Sequence, residues 1–317
     1  MKIALLVISL ITVNLTMAGD MRINELQFIG SHNSYKKAML AEHMTVLKVR
    51  DPEIAASLDY HHIAISQQLD IGIRKLELDV FYEPGVDDFT VGHIQVIDMQ
   101  SNCVTLRECL RQLNGWSLRN PDHIPIWISF NAKDNLLEGL PAPNRFDSIA
   151  LASLDQILLD ELNGKLILPR MVLIDGGLVW PKLQAARGTF LVVLDEGGIK
   201  RDLYLENGDL RVMFTTVDPP HPAAAIQIIN DPVANFDLIQ SRVLSGFMVR
   251  TRADANTIEA RQDDTTRRDK ALASGAQVIS TDYYQDSNPF KTGYSVMPMI
   301  TCNPILGSNC RAGLLIE

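Results

Sequence analysis

The sequence predicts a single-domain α/β fold, a TIM-type (β/α)8 barrel, and three observations predict it. Eight short apolar runs recur along the chain, helical patterns with apolar spacing of three and four lie between them, and no Gly-X-Gly-X-X-Gly turn follows any run. Strands alternating with helical crossovers in this number suit a closed parallel barrel better than an open doubly wound sheet.

The strands are expected at residues 26–30, 73–81, 89–93, 126–131, 190–194, 212–215, 247–250 and 278–281. Helices are expected at 106–118, 148–162, 180–186, 236–244 and 257–274. Gly188, Gly246 and Gly275 stand where helices should stop before the next strand. The segment from 35 to 68 is long for a connection, and the third strand is short. No repeat, low-complexity tract or linker divides the chain, so residues 19–317 are expected to form one domain.

Residues 1–18 read as a secretory signal. Lys2 precedes an almost wholly apolar run from Ile3 to Leu15, too short to span a bilayer, and Thr16-Met17-Ala18 offers a small residue at the cut. A retained anchor is the other reading, but no stop-transfer flank follows, so no stable transmembrane anchor is expected and the destination is secreted or periplasmic. A 46% hydrophobic and 21% charged composition is that of an ordinary globular protein. The net charge of −9 argues against nucleic acid as a partner and against a long-range pull toward anionic lipid, so any membrane contact must be local. Nothing in the sequence speaks to oligomeric state. The four cysteines fall in two close pairs, Cys103 with Cys109 and Cys302 with Cys310. In an exported chain these read as local disulfides, with free buried cysteine the other reading for the first pair.

The chemistry is expected at the carboxyl ends of the strands. Glu77 and Asp79 stand two apart on one strand and so share a face, while Leu76, Leu78 and Val80 point the other way. Two carboxylates side by side on a half-buried strand need a cation. Arg74 and Lys75 could supply it, but a bound metal is the alternative that fits the rest. His32 and Asn33 follow the first strand, and His93 ends the third. Asn131 and Lys133 end the fourth, Arg250 and Arg252 share a face of the seventh, and Asp282 follows the eighth. The oxygen-rich set Asn33, Glu77, Asp79 and Asn131 suits calcium or magnesium rather than zinc. Two histidines on opposite sides of a phosphorus, with a cation stabilising the charge between them, make a phosphodiester-cleaving arrangement. His43, His61, His62, His123 and His221 read as ordinary surface or packed residues, and Lys36 and Lys37 as solvated ones.

At these residues the chain resembles the calcium-dependent phosphoinositide-specific phospholipase C family, in its bacterial-type secreted branch. The matching segments are GSHNSY at 30–35, QLDIGIRKLELDV at 68–80, VGHIQ at 91–95, CVTLRECLRQLNGWS at 103–117, FLVVLDEGG at 190–198 and the long run VRTRADANTIEARQDDTTRRDKALASGAQVISTDY at 249–283. The resemblance implies a TIM-type barrel, Ca2+ as cofactor, and as substrate an inositol phospholipid at a membrane surface or a soluble inositol phosphodiester. It implies attack of the inositol 2-hydroxyl on the adjacent phosphodiester, releasing diacylglycerol and a cyclic phosphate. His32 would stabilise the transition-state charge and assist proton transfer, and His93 would protonate the leaving oxygen. Asn33, Glu77, Asp79 and Asn131 would hold calcium, with Glu77 or a metal-lowered group helping to deprotonate the 2-hydroxyl. Lys133, Arg250 and Arg252 would face substrate. Asn131 departs from the glutamate the family usually places there, which removes a unit of negative charge and predicts weaker calcium binding. Two other readings stay open. One is a glycerophosphodiester phosphodiesterase, although His32-Asn33-Ser34 lacks that family's His-Arg-Gly. The other is an inositol-lipid-binding protein with a weakened catalytic site.

Overall fold

The computed structural model describes residues 21–162, 164–206, 208–307, 310, 315 and 317, and the export signal expected at 1–18 lies outside the described residues. Eight parallel strands follow one path: Ile226–Ile228, Met248–Arg252, Val278–Thr281, Leu26–Ser31, Lys75–Tyr82, Ile126–Ala132, Phe190–Leu194 and Leu166–Ile167. The sheet curls into a half-barrel of TIM type with helices around it. A further parallel strand, Phe214–Thr215, shares one edge of Phe190–Leu194 with Leu166–Ile167. Among the described residues no ladder joins that edge to Ile226–Ile228. Gln227 reaches across instead, its Nε2 donating to Val217 O at 2.7 Å.

Alternation along the strands sorts side chains into two cores. Leu76, Leu78, Val80, Ile128, Phe130 and Val192 face outward and pack under the helices. Helix Leu106–Arg119 shows why it forms there: Thr105 caps it by accepting from Glu108 N, and Leu106, Leu110 and Leu113 repeat on its buried face. Each such leucine contributes about 1.5–3 kcal/mol by leaving water. Inward, Phe28, Trp127, Leu191, Val193, Met248 and Val278 close the amino end of the barrel with an apolar floor. Above that floor the inward positions turn polar, and the parallel register sets Glu77 beside Ser129 and Asp79 beside Asn131.

Residues 89–93, expected as the third barrel strand, instead form Phe89–Val91, which returns antiparallel to Lys75–Tyr82 with Val80 opposite Val91. The reason is length: residues 83–88 are enough for a hairpin, whereas a parallel crossover needs about a dozen or more. Leu166–Ile167 and Ile226–Ile228 are the barrel strands that sequence reading missed. The helix expected at 257–274 divides into Ile258–Gln262 and Thr266–Ala273, because Asp263 takes a φ of 55°. The helix expected at 180–186 is confined to Leu183–Ala186. The long segment 35–68 contains Ala41–Arg50 and Pro52–Ser57 and runs into Ile65–Asp70, and Gly198–Leu205 is a further unforeseen helix. Gly188, Gly246 and Gly275 do adopt positive φ where their helices or turns give way to strands. Both cysteine pairs are disulfides, with Cα atoms 5.2 Å apart for Cys103–Cys109 and 5.5 Å for Cys302–Cys310. No helix among the described residues is long and apolar enough to cross a membrane.

Candidate active site

The strand Lys75–Tyr82 carries the centre of the site. Its inward face presents Lys75, Glu77 and Asp79, all buried. Glu77 Oε2 accepts from Lys75 Nζ and, at 2.8 Å, from Arg250 Nη2. Arg250 also approaches Asp195 Oδ2 at 3.4 Å. Asp79 Oδ2 pairs with Lys133 Nζ at 2.7 Å. Asn131 Nδ2 donates to Glu77 Oε1 and Asp79 Oδ1, both at 3.1 Å, and so bridges the two carboxylates. Burial alone would raise the Glu77 carboxyl, but Lys75, Arg250 and His32 outweigh it and hold it well below the usual carboxylate range. Burial pushes the Lys75 ammonium down to about 8 against the pull of Glu77. Asp195 is raised, by burial first and then by Glu77, although Arg250 opposes.

His32 stands where the first strand ends. Its Nδ1 donates to Asp282 Oδ1 at 3.0 Å, which turns Nε2 toward Glu77 Oε1 at 3.7 Å. Arg252 closes over the same carboxylate, 3.6 Å from Asp282 Oδ2. Burial, then Arg252, lowers the imidazole below its ordinary value, so His32 is mostly neutral at pH 7. Behind Asp282 lies a second enclosed carboxyl, Asp254, which accepts from Asp282 N at 2.9 Å. Burial and the charge of Asp282 push Asp254 up to about 7. Asp282 itself is held below its usual range: burial opposes ionisation, but His32, His62 and Arg252 overcome it.

His93 lies just beyond the carboxylate strand, since the preceding Gly92 donates its N–H to Asp79 O at 3.2 Å. The His93 Nδ1 donates to Asp98 Oδ2 at 3.1 Å, and among the described residues its Nε2 has no protein partner. Asp98 also holds Lys36, whose Nζ sits 3.2 Å from each of its oxygens. Lys36 is fully enclosed rather than solvated, and it lies 4.9 Å from the centroid of the Tyr60 ring. Tyr60 in turn stacks on His32 and accepts from Asn33 Nδ2 at 2.7 Å.

Seven of the expected residues, His32, Glu77, Asp79, Asn131, Lys133, Arg250 and Arg252, therefore meet in one network, and Asn33 and His93 join it through Tyr60, Lys36 and Asp98. Six participants escaped sequence reading as members of the site. Lys75 was considered only as a neutralising neighbour, although period-two alternation puts it on the face of Glu77. Asp98, Lys36 and Tyr60 carry no local signal, whereas Asp195 directly follows the strand Phe190–Leu194 and could have been found by the strand-end rule. His62 was read as ordinary, yet it donates from Nε2 to His32 O at 2.7 Å. A cavity of about 490 Å3 opens beside Asn131, Lys133 and Asp195 at the carboxyl ends of the strands.

Residues 21–90 and 83–304 match the family described as phosphoinositide phospholipase C, Ca2+-dependent. The chain belongs to that family. It is accordingly an enzyme of the phosphoric diester hydrolase class. Solved structures agree at the level of fold. A calcium-dependent phosphoinositol-specific phospholipase C from the Gram-negative bacterium Pseudomonas sp is 15% identical, with a TM-score of 0.59 over 90% of this chain and 96% of that one. A Ca2+-dependent phosphatidylinositol-specific phospholipase C from Streptomyces antibioticus is 17% identical, with a TM-score of 0.56 over 88% of this chain and 99% of that one. No curated protein matches the sequence.

Membership in the phosphoinositide phospholipase C family raises the question of calcium, and the donor set answers it unexpectedly. Glu77, Asp79 and Asn131 meet, but the carboxylates are turned to the chain's own cations, and Asn33 is linked to them only through Tyr60 and His32. One oxygen of each carboxylate is committed to an ammonium or guanidinium group, and the other accepts from Asn131. Asn33 donates to Tyr60. Among the described residues no three His, Cys, Asp or Glu side chains are placed to hold an ion. Calcium takes six to eight oxygens and gains affinity from uncompensated ligand charge. Here Glu77, Asp79 and Asp195 already face Lys75, Lys133 and Arg250, so this arrangement does not fit a dication.

Proposed function

We propose that the chain cleaves phosphatidylinositol-type lipids to diacylglycerol and an inositol cyclic phosphate. The observation that carries the reading is the pair of imidazoles, each backed by a buried carboxylate, at the carboxyl ends of the strands that also carry Lys133, Arg250 and Arg252. Neutral His32 takes the proton of the inositol 2-hydroxyl, assisted by Glu77 Oε1 next to its Nε2. The freed oxygen forms a bond to phosphorus as the bond from phosphorus to the diacylglycerol oxygen breaks. His93, oriented by Asp98, delivers a proton from Nε2 to that leaving oxygen. Lys133, Arg250 and Arg252 face the substrate and stabilise the charge that builds on the phosphoryl oxygens. A later attack by water on the cyclic ester would restore both histidines.

The partner is an inositol phospholipid at a membrane surface or a soluble inositol phosphodiester, met outside the cytoplasm. The disulfides suit an oxidising compartment, in keeping with the signal expected at 1–18. The experiment compares release from phosphatidylinositol vesicles with release from glycerophosphoinositol, following the cyclic phosphate by phosphorus NMR. Cleavage of the lipid that disappears in His32→Ala and in His93→Ala is the expected result. Preference for the glycerol diester, or undiminished cleavage in His93→Ala, would overturn the reading.

A further inference from the structure

The amine beneath the carboxylate pair changes what the site needs. Lys75 stands two residues before Glu77 on the inward face and is completely enclosed. Its Nζ donates to Ser31 O at 3.0 Å, lies 3.4 Å from Ser280 Oγ, and meets Glu77 Oε2. The stem of Lys75 lies across Gly30, its ladder neighbour, where a Cβ would stand 2.7 Å from Lys75 Cδ. Strands on both sides therefore wall the amine in, and it has no solvent-facing position to swing to when a ligand arrives. Arg250, equally enclosed at 3% exposure, fixes the same Glu77 oxygen from across the barrel. Lys133 does the same for Asp79.

These side chains give the carboxylate pair the positive charge that a divalent ion would bring. An ion placed against Glu77 and Asp79 would meet two cations enclosed by the fold, Lys75 and Arg250, and a third, Lys133, at the cavity wall, while Asn131 now turns its nitrogen to the carboxylates. We propose that Lys75, with Arg250 and Lys133, stands in for the divalent cation, so that the chain cleaves its diester without calcium. This rests on the phosphodiesterase reading for its catalytic half and departs from the calcium dependence of the family. Lys75 touches no reacting atom. It is a positioning residue that keeps Glu77 charged and leaves Oε1 directed at His32.

Calorimetric titration of the whole protein with calcium chloride should give no saturable heat. Turnover of phosphatidylinositol vesicles should change by less than about twofold between excess EGTA and millimolar calcium, because ligand charge sets the affinity of such a site. Lys75→Met should lose about a hundredfold of the EGTA-insensitive turnover. It should also gain terbium luminescence, sensitised by Trp127 and Tyr60, that calcium competes away. A purely structural role for the amine would not create a metal site. Should Lys75→Met fail to fold, Lys133→Met removes the cation on Asp79 at the open side of the pair and should gain the same luminescence. Saturable calcium binding by the unmodified protein that Asp79→Asn removes would overturn the proposal. So would turnover that EGTA abolishes and calcium restores, or the absence of luminescence in both variants. If no condition gives turnover, the phosphodiesterase reading fails, while calorimetry and luminescence still decide whether the amine occupies the place of the ion.

Discussion

Replacing Asp98 with asparagine should separate stability from catalysis at His93. The substitution preserves shape but leaves Lys36, fully enclosed and 3.2 Å from both carboxylate oxygens, without a counter-charge. Breaking a buried pair in this way costs about 3–5 kcal/mol, a large share of the roughly 5–15 kcal/mol that holds a typical domain together. Adding Lys36→Met removes the orphaned charge, and the double variant should return to within about 1–2 kcal/mol of the parent, since neutral replacements of buried pairs are often near-neutral. Catalysis should not return with it. The His93 Nδ1 has lost its carboxylate in both variants, so turnover should stay down by about 10²–10⁴-fold, the share of a positioned general acid. Urea unfolding at pH 7 of all four proteins in the cycle measures the first quantity, and kcat/KM on a soluble inositol phosphodiester, corrected for the folded fraction, measures the second. If the double variant regains turnover together with stability, the Asp98 carboxylate merely holds a loop and the acid role of His93 loses its support. If Asp98→Asn costs under about 1 kcal/mol, Lys36 does not depend on it.

Three further perturbations test the fold around the site. Gly30→Ala should destabilise by about 1–3 kcal/mol through overpacking against Lys75 and reduce turnover as the amine is displaced, measured by thermal unfolding and by assay. Burial holds the His123 imidazole below its ordinary value, so the folded state favours the neutral ring. The stability this residue contributes is present above its unfolded value near 6.5 and is lost as pH falls from there toward the lowered folded value. His123→Gln should flatten the fall in urea midpoint between pH 7 and pH 5, and an unchanged slope would assign that fall elsewhere. Removing the Cys103–Cys109 disulfide by double alanine substitution should cost about 2 kcal/mol, given the short loop it closes, read from the urea midpoint with and without reductant.

The carboxylate pair was legible because a strand has only two faces, and placing one residue of Lys75–Tyr82 places the rest. Strand ends supplied His32, Lys133 and Arg250 for the same reason. Leu166–Ile167 and Ile226–Ile228 were not legible, since two or three residues show no period. The antiparallel turn of Phe89–Val91 was readable in principle from the length of residues 83–88, and the apolar run was given more weight than the connection. Asp98 belongs to another class. It reaches His93 through a tight excursion in which Val96 takes a φ of 65°, and no spacing rule for strands or helices places it there. Lys36 follows from it, because a lysine is enclosed only where an acid already waits.

The layering of the barrel explains how so many charges share so little space. The apolar floor of Phe28, Trp127, Leu191, Val193, Met248 and Val278 excludes water from below, which strengthens every interaction directly above it. The same exclusion makes an uncompensated charge costly there, so the acids of the site are paired with fixed cations: Glu77 with Lys75 and Arg250, Asp79 with Lys133, Asp282 with Arg252, Asp98 with Lys36. Matched pairs contribute little net stability, which comes instead from the outward cluster under the helices. It follows that inward substitutions that preserve charge balance, such as the Lys36–Asp98 double replacement, should leave stability near the parent's, whereas single ones should lower it by about 3–5 kcal/mol. The protein thus separates the residues that make it fold from those that make it react by the simplest device a strand offers, its two faces.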